Sequence, residues 1–318
     1  MLNLIKNEWI KLFKRTGTFV MIGLIILLLT FVGIIIRSQE NPDRGTGSEN
    51  WEEQLQTEIN NREQELKDIQ NAPQSMIDSY QRDIAINKYR IEHNLSPHQD
   101  YSVWGFVYDA SNIIQFAGLF VIIVAAGIVA SEFNWGTIKL LLIRPISRGK
   151  ILVAKYITVI LFALLMLIIS FAYSSLVGVI LFGTPETTAP HLNYYNGTIT
   201  EQNMGVHLII LYSLKSINML MLATMAFMIS AVFRNSSLAI GLSIFLMFAG
   251  GQLTAMLAQK FEWAKYILFA NTELMQYIEG VPLIEGMTLA FSVMVLVVYF
   301  IIFQFLAHYV FHKRDVAA

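Results

Sequence analysis

Cysteine is absent from this chain of 318 residues, and charge is scarce. Without cysteine there is no disulfide framework, no thiolate metal ligand and no cysteine nucleophile. Charged side chains fill 14 % of positions, against about 25 % in an ordinary soluble domain. The deficit is uneven: stretches 18–36 and 110–130 carry no charge, whereas 38–100 is strongly polar. A bilayer imposes that division, because a spanning helix needs roughly 20 consecutive apolar residues. Also missing is any GxxxxGK[ST] phosphate loop, which excludes ATP binding in the usual P-loop manner. His93, His98, His191, His207, His308 and His312 are scattered, with no His-x-x-x-His or Glu-x-x-His spacing inside an apolar run. No metal site, cofactor or catalytic residue is therefore expected on this chain, and it is not expected to be an enzyme. The net charge of −1 says nothing about partners.

What is present is a set of long apolar runs. Six spans are predicted at 18–36, 110–130, 151–182, 207–230, 238–257 and 287–311, all helical, since backbone groups in hydrocarbon must be satisfied within the segment. The fold class expected is an all-α polytopic membrane protein. The third run is long for one span, which implies tilt or an extension beyond the bilayer. The first run follows Lys11, Lys14 and Arg15, but it is too long for a signal h-region and lacks a small-x-small cleavage site before Arg37, so a retained anchor is expected. Lysine and arginine in the short loops set the orientation. Lys6, Lys11, Lys14, Arg15, Lys139, Arg144, Arg148, Lys150, Lys155, Arg234, Lys313 and Arg314 fall on one side, and the 183–206 loop on the other has neither type. Both termini are thus expected to be cytoplasmic.

The connecting segments differ in character. In 1–17, Leu2, Ile5, Trp9, Leu12 and Phe13 recur at helical spacing among lysines, which predicts an amphipathic helix in the headgroup layer. Segment 37–109 is the one sizeable soluble part. Trp51, Leu55, Ile59 and Leu66, then Ile77, Tyr80, Ile84 and Ile91, keep a helical period on either side of Pro73, which predicts an extracellular helical hairpin. Segment 183–206 lacks periodicity and reads as a loop; 231–237 is a short cytoplasmic loop and 312–318 a cytoplasmic tail. In 258–286, charges interrupt a run rich in Trp, Tyr, Phe and Leu, too polar to span and too apolar to float. An outer re-entrant or interfacial segment is expected there.

Polar groups inside the spans mark a candidate translocation path, because keeping a charge in hydrocarbon costs at least a few kcal/mol. Lys215 stands out, with Ser216 and Asn218 beside it; Gln115 and Gln304 are weaker candidates for bonds between helices. Alternatively, Lys215 snorkels to the headgroups. Met219, Met221, Met225, Met228, Met247 and Met256 crowd the fourth and fifth spans, either as packing filler or as an adaptable surface. Gly23, Gly33, Gly118 and Gly127 read as helix-packing positions.

The most informative stretch is 131–150, between the second and third spans. A short amphipathic helix over 134–143 can lie across the membrane face until Pro145 stops it. Pinned at both ends by spans, it could transmit a push into two transmembrane helices. Its run Ser131-Glu132-Phe133-x-x-Gly136-Thr137-x-Lys139, followed by Leu-Leu-x-x-Pro145-x-Ser147-Arg148, resembles the signature loop of ABC-2 type transporter permeases. It is closest to the bacterial subset that exports antimicrobial peptides, antibiotics or related amphiphiles. Asn7-Glu8-x-x-Lys11-Leu12 before the first span is similar too, so the resemblance covers nearly the whole chain.

The resemblance implies a membrane subunit of an exporter in the bacterial cytoplasmic membrane, moving an amphiphilic peptide, antibiotic or lipid-like substrate. Loop 131–150 would hold a coupling helix docked on a separate ATPase, with ATP and magnesium on that partner. Two ATPases would serve two permeases, a second copy or a paralogue; no nucleic-acid partner is implied. Glu132, Phe133, Trp135, Gly136, Thr137, Lys139, Arg144, Pro145 and Arg148 would form the ATPase interface, with Glu132 and Lys139 meeting opposite charges on the partner. The long insert after the first span departs from the smallest family members. Two rival readings stay open: a sensor whose outer hairpin binds a ligand, and an ion-extruding permease built around Lys215.

Overall fold

The computed structural model describes residues 1–39, 50–68, 74–96, 101–134, 146–185, 190–195, 197–278, 280 and 282–313. Among them, six helices are long and apolar enough to cross a membrane: Thr16–Gln39, Val103–Phe133, Arg148–Phe182, Met204–Phe233, Ser236–Ala258 and Leu289–Lys313. The protein is an α-helical polytopic membrane protein.

In chain order the helices are α1 (Leu2–Phe13), α2 (Thr16–Gln39), α3 (Trp51–Asp68), α4 (Gln74–Glu92), α5 (Val103–Ala110), α6 (Ile114–Asn134), α7 (Arg148–Phe182), α8 (Met204–Phe233), α9 (Ser236–Ala258), α10 (Leu268–Asn271) and α11 (Leu289–Lys313). A 3-10 turn at Ser111–Ile113 joins α5 to α6, so the second span begins at Val103 rather than near residue 110. At 35 residues, α7 is about 52 Å long, well beyond the roughly 30 Å of hydrocarbon.

Local chemistry sets the ends. Asn203 accepts from the backbone N–H of Gly205 and Val206 and starts α8; Asn235 accepts from that of Leu238 and starts α9. Between α8 and α9, Arg234 takes a left-handed conformation, φ 56°, and turns the chain within two residues. α7 stops at Gly183, φ 72°, whose carbonyl receives the N–H of Val103 at 3.1 Å.

Burial ranks the spans. In α5–α6 67 % of the most apolar window is buried and in α8 61 %, against 17 % in each of α2, α9 and α11. α6 and α8 form the centre and run parallel: Ser230 donates to the carbonyl of Ala126 at 2.6 Å and receives the N–H of Ala130 at 3.1 Å. Small residues permit the closest approaches. A Cβ on Gly178 of α7 would lie 3.1 Å from the Val103 backbone, and one on Gly250 of α9 would lie 2.6 Å from the Phe269 ring. Of the glycines expected to mediate packing, Gly33 and Gly118 face neighbouring side chains, whereas Gly23 and Gly127 face open space.

At one end of the bundle, α3 and α4 pack as a pair through Leu55, Ile59 and Ile84, with Lys88 bonded to Glu63 at 2.8 Å. The turn expected around Pro73 lies outside the described residues. Segment 183–206, expected to be loop, contains a β-hairpin instead: β1 (His191–Tyr195) pairs antiparallel with β2 (Thr198–Gln202), register Tyr195↔Thr198. The overlooked signal is Asn196-Gly197, the dipeptide that two-residue hairpin turns favour because both central residues need positive φ; Gly197 has φ 79°.

Over 259–286 the chain makes two 3-10 turns, Glu262–Tyr266 and Leu274–Tyr277, around α10. Buried Asn271 anchors it, donating to the carbonyls of Lys265 and Ile267 at 2.8 Å while accepting from Ser292 of α11 at 2.7 Å.

Candidate functional site

At the end of the bundle opposite the α3–α4 pair, four charged side chains from three helices close into a ring. Lys155 of α7 bonds Glu8 of α1 at 2.7 Å and Glu132 of α6 at 3.1 Å. Lys11 of α1 bonds the same two carboxylates, each at 3.2 Å. Signs alternate around the ring, so its formal charge is zero. The side chain of Lys155 is 1 % exposed and those of Glu8 and Glu132 about a tenth, while Lys11 is 47 % exposed. Removing three charges from water is costly, and only close opposite partners make it tolerable. Burial draws the Lys11 ammonium down, but the carboxylates of Glu8 and Glu132 outweigh it and raise the group above 10.5.

The ring brackets the signature loop. Glu132 lies in the last turn of α6 just before the loop, and Lys155 lies two turns into α7 just after it. Two further loop-flanking residues are tied down nearby. The Phe133 ring lies under the Arg234 guanidinium at 4.5 Å and edge-on to Phe311 of α11 at 6.2 Å. Arg148 donates to the His312 carbonyl at 3.4 Å. Glu132, expected to meet positive charge on another protein, thus meets it within this chain, on Lys11 and Lys155. Lys11, expected near lipid headgroups, turns to carboxylates instead. Trp135, Gly136, Thr137, Lys139, Arg144 and Pro145 lie outside the described residues.

Sequence reasoning had treated Glu8 as part of a motif and Lys155 as one more orienting cation. The overlooked signal is that Lys155 sits inside an apolar run, between Ala154 and Tyr156, where an unpaired ammonium would be expensive.

The second polar feature is a cavity of about 230 Å³ between α6, α8, α9 and the 259–286 segment. Lys215, Gln115 and Asn218 line it together with Ser111, Asn112 and Glu273. Lys215 lies eleven residues into α8, about 16 Å from its start. Its ammonium donates to Ser111 Oγ at 2.7 Å and Asn112 Oδ1 at 2.9 Å on the turn between α5 and α6. Met219 and Met247, from the methionine-rich spans, form part of its apolar floor. Ser216 does not line it; its hydroxyl donates to the Ser213 carbonyl of its own helix at 2.6 Å. Gln304 lies elsewhere, beside Tyr156. Three of the five path candidates thus share one cavity. Among the described residues, no group of three or more His, Asp or Glu side chains is placed to hold a metal ion.

The chain is similar in sequence to known proteins. Residues 77–317 match a family described as protein of unknown function, DUF2705. The chain is 54 % identical over 319 aligned residues to Uncharacterized protein YhcI of Bacillus subtilis, covering the full length of both. It is 33 % identical over 198 residues to Uncharacterized membrane protein YdbK of the same organism, covering 61 % of this chain and 76 % of the relative.

Proposed function

The chain belongs to the DUF2705 family, and we propose, from its signature loop and the geometry around it, that it is the permease subunit of an ATP-driven ABC-2 type exporter. It moves an amphiphilic substrate across the bacterial cytoplasmic membrane, with ATP hydrolysis on a separate subunit. The observation that carries the reading is the buried charge ring on both flanks of the signature loop. A loop hung on slack joints would absorb a push. Glu132 and Lys155 lock its two ends to each other and to α1, so force applied to 135–145 passes into α6 and α7 together. Trp135 supplies the kind of aromatic anchor in which interfaces concentrate their energy.

In this reading both termini and the charge ring face the cytoplasm, as the lysine and arginine distribution requires. The α3–α4 pair and the β-hairpin stand outside, and the 259–286 segment caps the outer leaflet. Two permeases, identical or paralogous, work with two ATPases.

The test is purification of the full chain from its native membrane in mild detergent. An ATP-hydrolysing subunit is expected to accompany it in equal ratio. Trp135→Ala with Lys139→Ala should reduce that recovery about tenfold while the chain stays inserted. Purification without any ATPase would overturn the reading.

One observation favours a second reading, in which the protein is a sensor. An open cleft of about 410 Å³ between α3 and α4 is lined by Trp51, Glu58, Asp83 and Arg90. A sensor would lose all function when α3 and α4 are deleted and would bring no ATPase through purification.

A further inference from the structure

We propose that the cleft between α3 and α4 binds a basic α-amino acid of the lysine type. Its carboxylate sits on Arg90, its α-ammonium on Glu58 and its side-chain ammonium on Asp83. The site goes beyond the permease reading and gives the sensor reading a ligand; the binding itself follows from the cleft.

The order of charges carries the inference. Contacts run from Asn87 beside Glu58 to Tyr80 beneath Arg62, so α3 and α4 are antiparallel. Asp83, Asn87 and Arg90 line the cleft from one face of α4, as residues four and three apart do. Asp83 and Arg90 thus lie about 10 Å apart along the helix axis. Glu58 stands between them, at the level of Asn87, whose amide donates to it at 3.4 Å. Along the cleft the signs therefore run positive, negative, negative. The complement is a carboxylate followed by two cations, the order in which an extended lysine carries them. A simple anion would be repelled by two carboxylates, and a diamine would turn a cation toward Arg90.

All three groups have capacity for a ligand. Arg90 is half-buried, and among the described residues its guanidinium makes no hydrogen bond or ion pair; Glu58 attracts it only at longer range. Burial draws that guanidinium below its ordinary value in spite of the attraction. A ligand carboxylate supplies the bidentate acceptor that the guanidinium fork fits. Asp83 likewise makes no hydrogen bond or ion pair among the described residues. Arg62 attracts it, but is bonded to Glu65 at 3.2 Å and lies over the Tyr80 ring at 4.7 Å. Glu58 is exposed and accepts one bond of the roughly four that a carboxylate can take.

The walls suit the rest of the molecule. Trp51 and Leu55, toward the Arg90 end, and Ile86 of α4 offer apolar surface to the carbon chain. The volume of about 410 Å³ falls within the roughly 300–1,000 Å³ of small-molecule sites.

The experiment is calorimetric titration of the full chain in detergent, with no ATPase present. The probes are lysine, norleucine, which lacks the side-chain ammonium, cadaverine, which lacks the carboxylate, and Nα-acetyl-lysine, whose α-nitrogen carries no charge. Wild type is expected to bind lysine about tenfold more tightly than each of the other three, the scale of one charge-assisted contact. Asp83→Asn should bind lysine and norleucine equally, and Arg90→Gln should bind lysine and cadaverine equally. Arg90→Lys should keep part of the preference for lysine over cadaverine. Each variant is read as a ratio between two ligands, so a general weakening of the α3–α4 pair does not imitate the result.

No lysine binding by wild type, or equal binding of all four probes, would overturn the proposal. Ratios unchanged in both Asp83→Asn and Arg90→Gln would place the ligand elsewhere and overturn it too. Tight binding of Nα-acetyl-lysine alone would remove Glu58 and the free amino acid from the account. Because no ATPase takes part, failure of binding removes this proposal and leaves the permease reading to its own test.

Discussion

Lys155 carries a large energetic risk for a single residue. Its ammonium is almost wholly buried and holds two carboxylates that are nearly as deep. Lys155→Met takes from Glu8 and Glu132 their deepest counter-charge and leaves the half-exposed Lys11 bonded to both. A loss of about 3–5 kcal/mol is expected, read as a large fall in unfolding temperature in detergent. Adding Glu8→Gln and Glu132→Gln to Lys155→Met should recover most of it, since removing a buried ion cluster whole is far cheaper than removing one member. No recovery would mean that the ring matters through packing rather than charge. Lys11 sets a pH limit of the opposite kind. Its pKa is raised on folding, so its contribution is complete below its unfolded value of 10.5 and is lost as pH rises through the higher folded value. Alkaline solution should therefore release α1, seen as faster proteolysis near Lys14 and Arg15, while neutral and mildly acidic solution should not.

At the scale of elements, what the sequence discloses depends on how local the cause is. The six spans were legible because an uninterrupted apolar run has one meaning in a bilayer, and the amphipathic period of α1, α3 and α4 was equally plain. Their ends were not, since caps such as Asn203 and Asn235 extend helices past the apolar core. The β-hairpin was missed although Asn196-Gly197 announces one, because its strands are short and mostly polar. The charge ring was legible only as a lone Lys155 inside an apolar run, not as a set of partners. Lys11 meets Glu132 across 121 positions and Lys155 meets Glu8 across 147, and no periodicity connects them. Lys215 was singled out by its chemistry, but that it shares a cavity with Gln115 and Asn218 follows from the parallel packing of α6 and α8. The α3–α4 pair carries its own prediction. Bonding to Lys88 holds the Glu63 carboxyl below its ordinary value. That contribution is present above the unfolded value of 4.5 and fades as pH falls through the folded one. Mild acid should thus loosen α3 from α4 before it affects the spans, measurable as hydrogen exchange confined to those two helices.

For the whole molecule, the proposed roles lie along the membrane normal. In the proposed exporter the charge ring would receive force from the loop and α6 and α7 would carry it into the bundle. The close fit of Gly178 against Val103 and of Gly250 against Phe269 keeps α5 in register with α7 and the 259–286 segment in register with α9. The central claim is that energy enters through the loop between α6 and α7, from the cytoplasm. Because the chain has no cysteine, a single Trp135→Cys variant can be labelled without background. In intact cells, a membrane-impermeant thiol reagent should leave it unmodified; once the membrane is permeabilised it should react. Modification of that position from outside intact cells would contradict the account.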